Sequence, residues 1–419
     1  MKEDIIQEIL LRFPVKSLVR CKLLSKEWME FISHNPAFRK SFIARNRGCS
    51  FMLGFYITKH MDLVDIDEKV HFLCTYNRGI RVLNKRKRDN DGVSLQLDAR
   101  PAKKFFLSPP LLLKKSPSLF SDPAVRVLGS SNGFLLCSLD KKCPLNYIII
   151  NPINKLCMPL PVANTSSDYY THGFICHSLS PLLDTVDYYK VVRGISPQDW
   201  HAESFTTLEI ICSDSSQWSQ YHVRGQSPFY LDSLNPSKII ISEAGLVYVP
   251  GTAFKEASTT PWTDGENNSV LIFDQNKEES VHVIELPLAE NKVMHECFGQ
   301  SEGMISYARN ELGQLKVWRY NEQKGGGWSL IHNVSLNSWV GLLKKVGTAS
   351  ASGFCPEAFH PTDKNVIFLS RHPNRMVYNL NTSKMESVCD LKTQGLKSVY
   401  YFFPYTCGLI GPHLFLSQD

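Results

Sequence analysis

After Gly48 the chain is written in short apolar runs of strand length, broken by Gly, Pro, Asn, Asp and Ser, a grammar of many strands and few helices. Five segments share one layout of apolar strand, polar turn and second strand: Tyr147–Met158, Leu208–Trp218, Val270–Lys277, Leu315–Gly325 and Met376–Lys384. Their turn markers Asn151, Asp214, Asp274, Asn321 and Asn379 stand 63, 60, 47 and 58 residues apart. Four-stranded propeller blades recur at roughly 40 to 50 residues, and inserted loops lengthen some intervals. The repeat predicts a mainly antiparallel, propeller-like β domain that buries its sheets against one another and exposes loops at two ends.

The opening segment follows a helical period instead. Ile5, Ile6, Ile9, Leu10 and Phe13 lay one stripe along a helix that Asp4 caps and Pro14 ends. Leu18, Val19, Leu23 and Leu24 mark a second helix. Ser25 is placed to cap a third, with Trp28, Phe31 and Ile32 on one face, and Asn35-Pro36 opens a fourth that carries Phe38 and Phe42. A unit of about forty residues cannot cover so much Leu, Ile, Phe and Trp alone. Below roughly 70 residues a single core needs disulfides, metal or a partner, and a partner's helix surface is the expected cover here.

Bulk composition narrows the function classes. With 43% hydrophobic and 21% charged residues over 419 positions the chain has ample material for a core. Its 46 basic and 40 acidic residues leave a net charge of +6, which makes no demand for nucleic acid. Met1-Lys2-Glu3-Asp4 lacks the basic and apolar regions of a secretory signal, so an intracellular chain is expected, in cytosol and/or nucleus. Leu111–Leu113 and Ile148–Ile150 fall far short of the roughly 18 apolar residues of a membrane span. The twelve cysteines form no Cys-x-x-Cys pair and read as reduced thiols inside strands.

Chemistry-bearing patterns are sparse. His172, Cys176 and His177 lack the second close pair that a four-ligand zinc site requires. Gly325–Gly327 lacks the spacing and the Lys-Ser/Thr of a phosphate cradle and reads as a hairpin loop. Lys85–Arg88, with Arg78, Arg81, Lys103 and Lys104, reads as an exposed basic loop over 78–104. No Gly-x-Ser-x-Gly elbow occurs, and no catalytic residue, metal or cofactor is assigned. Tyr169, Tyr170, Trp200 and Trp262 lie in turn-rich stretches; exposed, they would anchor a bound protein, and buried, they would pack between sheets.

The run from Asp4 to Trp28, with Pro14, Ser17-Leu18, Cys21-Lys22 and Ser25-Lys26-x-Trp28 in order, resembles the plant F-box motif, over residues 3–43. Gly129–Cys137, Ile150–Lys155, Leu160-Pro161 and Asp187–Val192 resemble the plant F-box-associated, kelch-like interaction domain, without the double glycine of a kelch blade. The resemblance implies an α+β multidomain protein: an all-α F-box over 1–45 and a propeller-like β domain over 46–419. It implies a non-catalytic substrate receptor of a cullin-RING ubiquitin ligase, holding a Skp-family adaptor, and through it cullin and RING subunits, by the F-box and a protein substrate by the β domain. Adaptor-binding residues by position are Ile6, Ile9, Leu10, Phe13, Pro14, Leu18, Cys21, Lys22, Leu24, Ser25, Lys26 and Trp28. Met1-Lys2 stand where the family opens on Leu-Pro, which predicts either a weaker grip on the adaptor or a start placed a few residues late. The rival readings are an interaction module outside the ligase, and a propeller-type binder of glycans or small molecules or an enzyme.

Overall fold

A computed structural model describes residues 8–11, 21, 24–35, 38, 51–59, 71–74, 81–83, 125–140, 145–151, 156–165, 170–177, 186, 188–195, 206–223, 229–231, 239–242, 244–253, 267–275, 277, 281–288, 295–322, 326–340, 353–371, 374–390 and 400–407. The chain forms two compact units, one of Met1–Phe72, Leu107–Glu285 and Phe403–Asp419, the other of Leu73–Phe106 and Leu286–Phe402. Helix α1 (Lys26–His34) belongs to the head. Strands β1 (Phe51–Lys59), β2 (His71–Cys74) and β3 (Arg81–Leu83) follow.

Five antiparallel sheets come next. Sheet A holds β4 (Arg126–Ser131), β5 (Phe134–Ser138), β6 (Tyr147–Asn151) and β7 (Leu156–Pro159). Sheet B holds β8 (Tyr170–His177), β9 (Tyr188–Ile195), β10 (Thr206–Cys212) and β11 (Ser219–Val223). In sheet C two short strands, β12 (Phe229–Leu231) and β13 (Ile240–Ile241), share β14 (Val247–Ala253) as neighbour, followed by β15 (Asn267–Phe273) and β16 (Val281–Glu285). Sheet D holds β17 (His295–Ser301), β18 (Met304–Glu311), β19 (Gln314–Asn321) and β20 (Gly327–Ser335), and leads through the short helix α2 (Asn337–Val340). Sheet E holds β21 (Cys355–Phe359), β22 (Val366–Arg371), β23 (Asn374–Asn379) and β24 (Lys384–Asp390). The last strand, β25 (Tyr400–Cys407), pairs with β1. Strand β3 adds itself to β24 with Leu83 opposite Met385, so a segment from early in the chain completes sheet E.

Each repeat expected from the sequence is the hairpin between a sheet's third and fourth positions. Asn151, Asn321 and Asn379 end β6, β19 and β23, while Asp214 and Asp274 stand in the turns after β10 and β15. Tight turns join other strands. Asn132-Gly133, Glu302-Gly303 and Leu312-Gly313 are two-residue loops with φ of 47° and 87°, 48° and 77°, and 48° and 90°. Two left-handed residues in succession match the right-handed twist of the flanking strands.

Packing explains why the strands read as nearly continuous apolar runs. In β9, Tyr189 and Val191 pack with Phe134, Leu136 and Ile149 of sheet A, whereas Val192 packs with Leu208 and Ile210 and with Val247, Val249 and Leu271 of sheet C. A strand buried on both faces has no polar face to alternate with. At Gly173 a Cβ would stand 2.6 to 2.9 Å from Ile239, so the approach of sheet C excludes any side chain there. In the second unit, Ala308, Leu315 and Val317 of sheet D share a core with Ile367, Leu369, Met376 and Tyr378 of sheet E.

Two buried arginines tie down the connections that enter sheets B and D. Arg193 faces Glu209 across β9 and β10, and its Nη1 donates to Glu209 Oε2 at 2.8 Å and to the Thr165 carbonyl. Thr165 Oγ1 donates to Glu209 Oε1 at 2.6 Å. In sheet D, Arg309 donates to the carbonyls of Pro287 and Leu288, and Glu311 answers its charge at 2.5 Å. Arginine and carboxylate are fully buried in both pairs, so removal of one partner strands a charge in a low-dielectric interior. Glu209→Ala is expected to cost about 3–5 kcal/mol of unfolding free energy, and Arg193→Met with Glu209→Leu to recover most of it. Urea unfolding checks this, and a single-variant loss below about 1 kcal/mol would contradict it.

Asp140, in the connection after β5, accepts from the Leu145 and Asn146 amides at 2.7 and 2.6 Å and from Asn146 Nδ2 at 2.9 Å. Partial burial pushes its carboxyl up, but the bonds from Asn146 and Leu145, with Arg126 nearby, outweigh this and hold it below the usual carboxylate range. A depressed folded pKa contributes stability that is present above the unfolded value, near 3.9, and is lost as pH falls through the folded one. Asp140→Asn should therefore lower the thermal midpoint at neutral pH, with the gap to the parent chain closing below about pH 4. A gap that widens on acidification would refute this account of Asp140.

Candidate functional site

The head is built by its caps. Ser25 is the N-cap of α1, and its Oγ accepts the Trp28 amide at 3.2 Å. Asn35 ends that helix, its amide donating to the Phe31 carbonyl at 3.1 Å. The Asn35 side chain then caps the next turn by accepting the Phe38 amide at 3.0 Å. The Asn35 amide thus closes α1 while its side chain holds the Phe38 amide. These bonds aim Ile32 and Phe38 at Leu10 and Leu11 to form a buried core, with Cys21, Trp28 and Phe31 packed half-buried against it. The Phe31 and Phe38 rings lie 5.4 Å apart.

This arrangement sorts the residues expected to meet an adaptor. Ile9 is 50% exposed and Leu24 72% exposed, and Lys26 is also exposed. Leu10 points into the head's own core, Cys21 and Trp28 pack beside it, and Ser25 is engaged in its cap. Ile6, Phe13, Pro14, Leu18 and Lys22 lie outside the described residues. Two neighbours on one helix, Ile9 and Leu10, therefore do different work: one shows an apolar side chain to water and the other holds the head together.

The aromatic candidates on the β domain are placed in part. Tyr170 is 4% exposed in β8, with its ring 5.1 Å from that of His172, so it is core material of sheet B. Tyr169, Trp200 and Trp262 fall outside the described residues, as does the basic run Lys85–Arg88, but Arg81 of the expected 78–104 loop lies in strand β3, because Arg81–Leu83 pairs with Ser387–Met385 of β24. His172 sits at hydrogen-bond distance from Tyr147 Oη, 2.9 Å from its Nε2. Cys176 stands four residues along the same strand, about 13 Å away at ordinary strand rise, with its amide bonded to Ser131 Oγ at 3.1 Å. Gly326, at φ 72°, lies in the β19–β20 hairpin, where a Cβ would meet Tyr320 Oη at 2.7 Å.

Thiol chemistry is muted. Burial pushes the Cys355 thiol up to about 11, with Glu357 adding to the effect and Ser370 and Arg375 opposing it. Burial, with Cys157 beside it, raises the Cys137 thiol further. Both are thiols rather than thiolates near neutral pH, and a thiol is a poor nucleophile and metal ligand. Among the described residues no group of three or more His, Cys, Asp or Glu is arranged to hold a metal, and no helix is long and apolar enough to cross a membrane.

Within each unit, some exposed apolar side chains stand where second strands turn into third strands or where a connection arrives, while Tyr188, Val283, Leu330 and Ile331 are exposed elsewhere on the sheets. Leu139 and Val162 hold such turn or connection positions in sheet A, and Leu288 and Leu312 in sheet D. The sequence reading had passed over all four. The available signal was Leu312-Gly313 between two strands, a two-residue turn with leucine where a small polar residue is usual.

A capped helical head with apolar side chains left in water, followed by four-stranded antiparallel sheets, defines the class of F-box proteins that carry a propeller. Residues 3–40 match the F-box domain, and residues 108–401 match the family described as F-box protein At3g26010-like, beta-propeller. The chain belongs to that family. It is 23% identical over 411 residues to the F-box protein At5g03970 of Arabidopsis thaliana, covering 94% of this chain and 84% of the relative. A putative F-box/kelch-repeat protein, At4g22430 of the same plant, is 23% identical over 394 residues, 91% of this chain and 78% of that protein. Among solved structures, a protein from Lactobacillus plantarum is similar at a TM-score of 0.36 and 10% identity, over 84% of this chain and 99% of that one. The family's architecture is that of a substrate receptor, with an F-box for a Skp-family adaptor and a propeller for a target.

Proposed function

We propose that this chain is the target-recognising subunit of an SCF-type cullin-RING ubiquitin ligase, acting in cytosol or nucleus. The head docks on the Skp-family adaptor, the adaptor joins it to cullin and RING subunits, and the β domain holds a protein target. The observation that carries this reading is the exposure of Ile9 and Leu24 on a head whose described core residues are Leu10, Leu11, Ile32 and Phe38. A helical unit of about forty residues gives little stability by itself, and covering two exposed branched side chains on a partner helix supplies both stability and attachment. Leu24 sits at the turn before α1, directly preceding the Ser25 cap, so its backbone is held when the adaptor arrives.

The chain makes and breaks no bonds in this scheme. Its contribution is proximity: a target held beside a ubiquitin-loaded enzyme meets it at an effective concentration that free diffusion does not reach.

Both exposed residues can be changed without touching the head's core. Ile9→Asp with Leu24→Asp in the full chain should weaken binding of purified adaptor by about a hundredfold, as two interface anchors of roughly 1–2 kcal/mol each are lost. The far-ultraviolet circular dichroism and thermal midpoint should stay within error. Adaptor affinity unchanged in the double variant, measured by calorimetric titration, would overturn this assignment.

A further inference from the structure

We infer that the end of sheet D formed by the Leu312 turn and the Leu288 connection is an anchor site for a target polypeptide, and that it takes an uncharged apolar segment. The inference rests on the receptor reading above and supplies what that reading leaves open, the target-contacting surface and the chemistry it accepts.

Leu312 is an unfavourable choice on two counts. It is 66% exposed, and its φ of 48° puts a branched side chain in the left-handed region, where Cβ crowds the following carbonyl. The same kind of turn uses Asn132-Gly133 in sheet A and Glu302-Gly303 at the other end of sheet D, each with a polar residue at the first position. An apolar side chain that is both strained and wet gains nothing for the folded chain alone. Strained residues of this kind cluster at binding and switch sites.

Leu288 is the companion. It is 73% exposed, and its carbonyl accepts from Arg309 Nη2 at 2.5 Å. The same nitrogen pairs with Glu311 Oε1 at 2.5 Å, and Glu311 immediately precedes Leu312. One guanidinium therefore joins the backbone that carries Leu288 to the end of the strand that carries Leu312. Arg309 is itself fixed, 2% exposed and 4.5 Å over the Trp318 ring. Both leucines are presented on a frame set before any partner binds, which reduces the ordering cost of association.

The charges underneath select the occupant. Glu311 answers Arg309 through one oxygen and Lys316 Nζ through the other at 2.6 Å, while Glu296 accepts Tyr307 Oη at 2.6 Å. Arg309 and Lys316 are each paired with Glu311, so the frame presents compensated cations rather than a positive patch to a phosphorylated peptide, a polyanion or an anionic membrane. Two exposed leucines on one guanidinium-braced frame suit Leu, Met, Phe or Trp side chains of a protein.

The test uses the full chain bound to its adaptor, panned against a phage-displayed library of random linear peptides, with one enriched peptide titrated by fluorescence polarisation. Enriched peptides should be apolar and near neutral. Leu288→Asp and Leu312→Asp should each weaken the peptide about tenfold or more, the signature of an anchor residue. Leu312→Asn, which a left-handed turn accepts, should weaken it as well while raising the thermal midpoint, which separates lost recognition from lost folding. Leu330→Asp, at another exposed leucine on the outer strand β20 of the same sheet, should leave binding unchanged. The inference is overturned by no enrichment, by a charged consensus, by peptides that bind Leu312→Asn as well as the parent chain, or by a dimer that Leu312→Asn dissolves in light scattering. Adaptor affinity is read on the same proteins: failure there faults the ligase reading, whereas failure of the peptide arm with adaptor binding intact faults only this site.

Discussion

A four-stranded sheet with apolar side chains on both faces is not stable in water until both faces are covered, and that requirement governs the body of this protein. Strand β9 shows it within three residues, with Val191 turned to sheet A and Val192 to sheet C. Sheets D and E settle the same debt in the second unit by sharing one core from Ala308 to Met385. Sheet-on-sheet burial is non-directional, so it tolerates the irregular first strand of sheet C and the loose spacing of the repeats. Direction comes from the close-fitting points, such as Gly173 against Ile239.

Burial alone leaves the connections between sheets unfixed, and the buried arginines address that. Arg193 and Arg309 each sit near the end of a second strand and hold carbonyls of the segment that enters the same sheet, with a carboxylate compensating the charge. Such pairs contribute little net stability against an apolar core of equal volume. Their effect is positional: each holds the backbone of the connection that enters its own sheet. At the opposite ends of two sheets, hairpins clasp the neighbouring sheet, with Asn132 Nδ2 donating to the Cys176 carbonyl at 2.9 Å and the Glu302 amide to the Pro361 carbonyl at 3.0 Å.

Local features of this architecture were legible in the sequence, and long-range ones were not. Asn151, Asp214, Asp274, Asn321 and Asn379 marked five hairpins correctly because a turn between two apolar strands depends only on neighbours. Ser25 and Asn35 were equally visible as caps. The addition of β3 to β24 joins Leu83 to Met385, and no local pattern foretells a partner so far along the chain. Arg193 and Glu209 look like ordinary surface charges until strand register sets them face to face. Helical periodicity grouped Ile9 with Leu10, yet only the packing of Ile32 and Phe38 decides which of them turns inward. Tyr170 could not be assigned from composition, since a tyrosine suits a core and an interface alike.

The sheets cover their apolar faces with each other, whereas the head leaves Ile9 and Leu24 exposed, the two side chains proposed to meet the adaptor. Hydrogen exchange of the full chain with and without purified Skp-family adaptor tests that claim most directly. The account predicts that adaptor slows exchange in peptides spanning Glu8–Leu11 and Leu24–His34 and leaves the sheets between residues 126 and 390 unchanged. Protection confined to the sheets, or none anywhere at saturating adaptor, would contradict it.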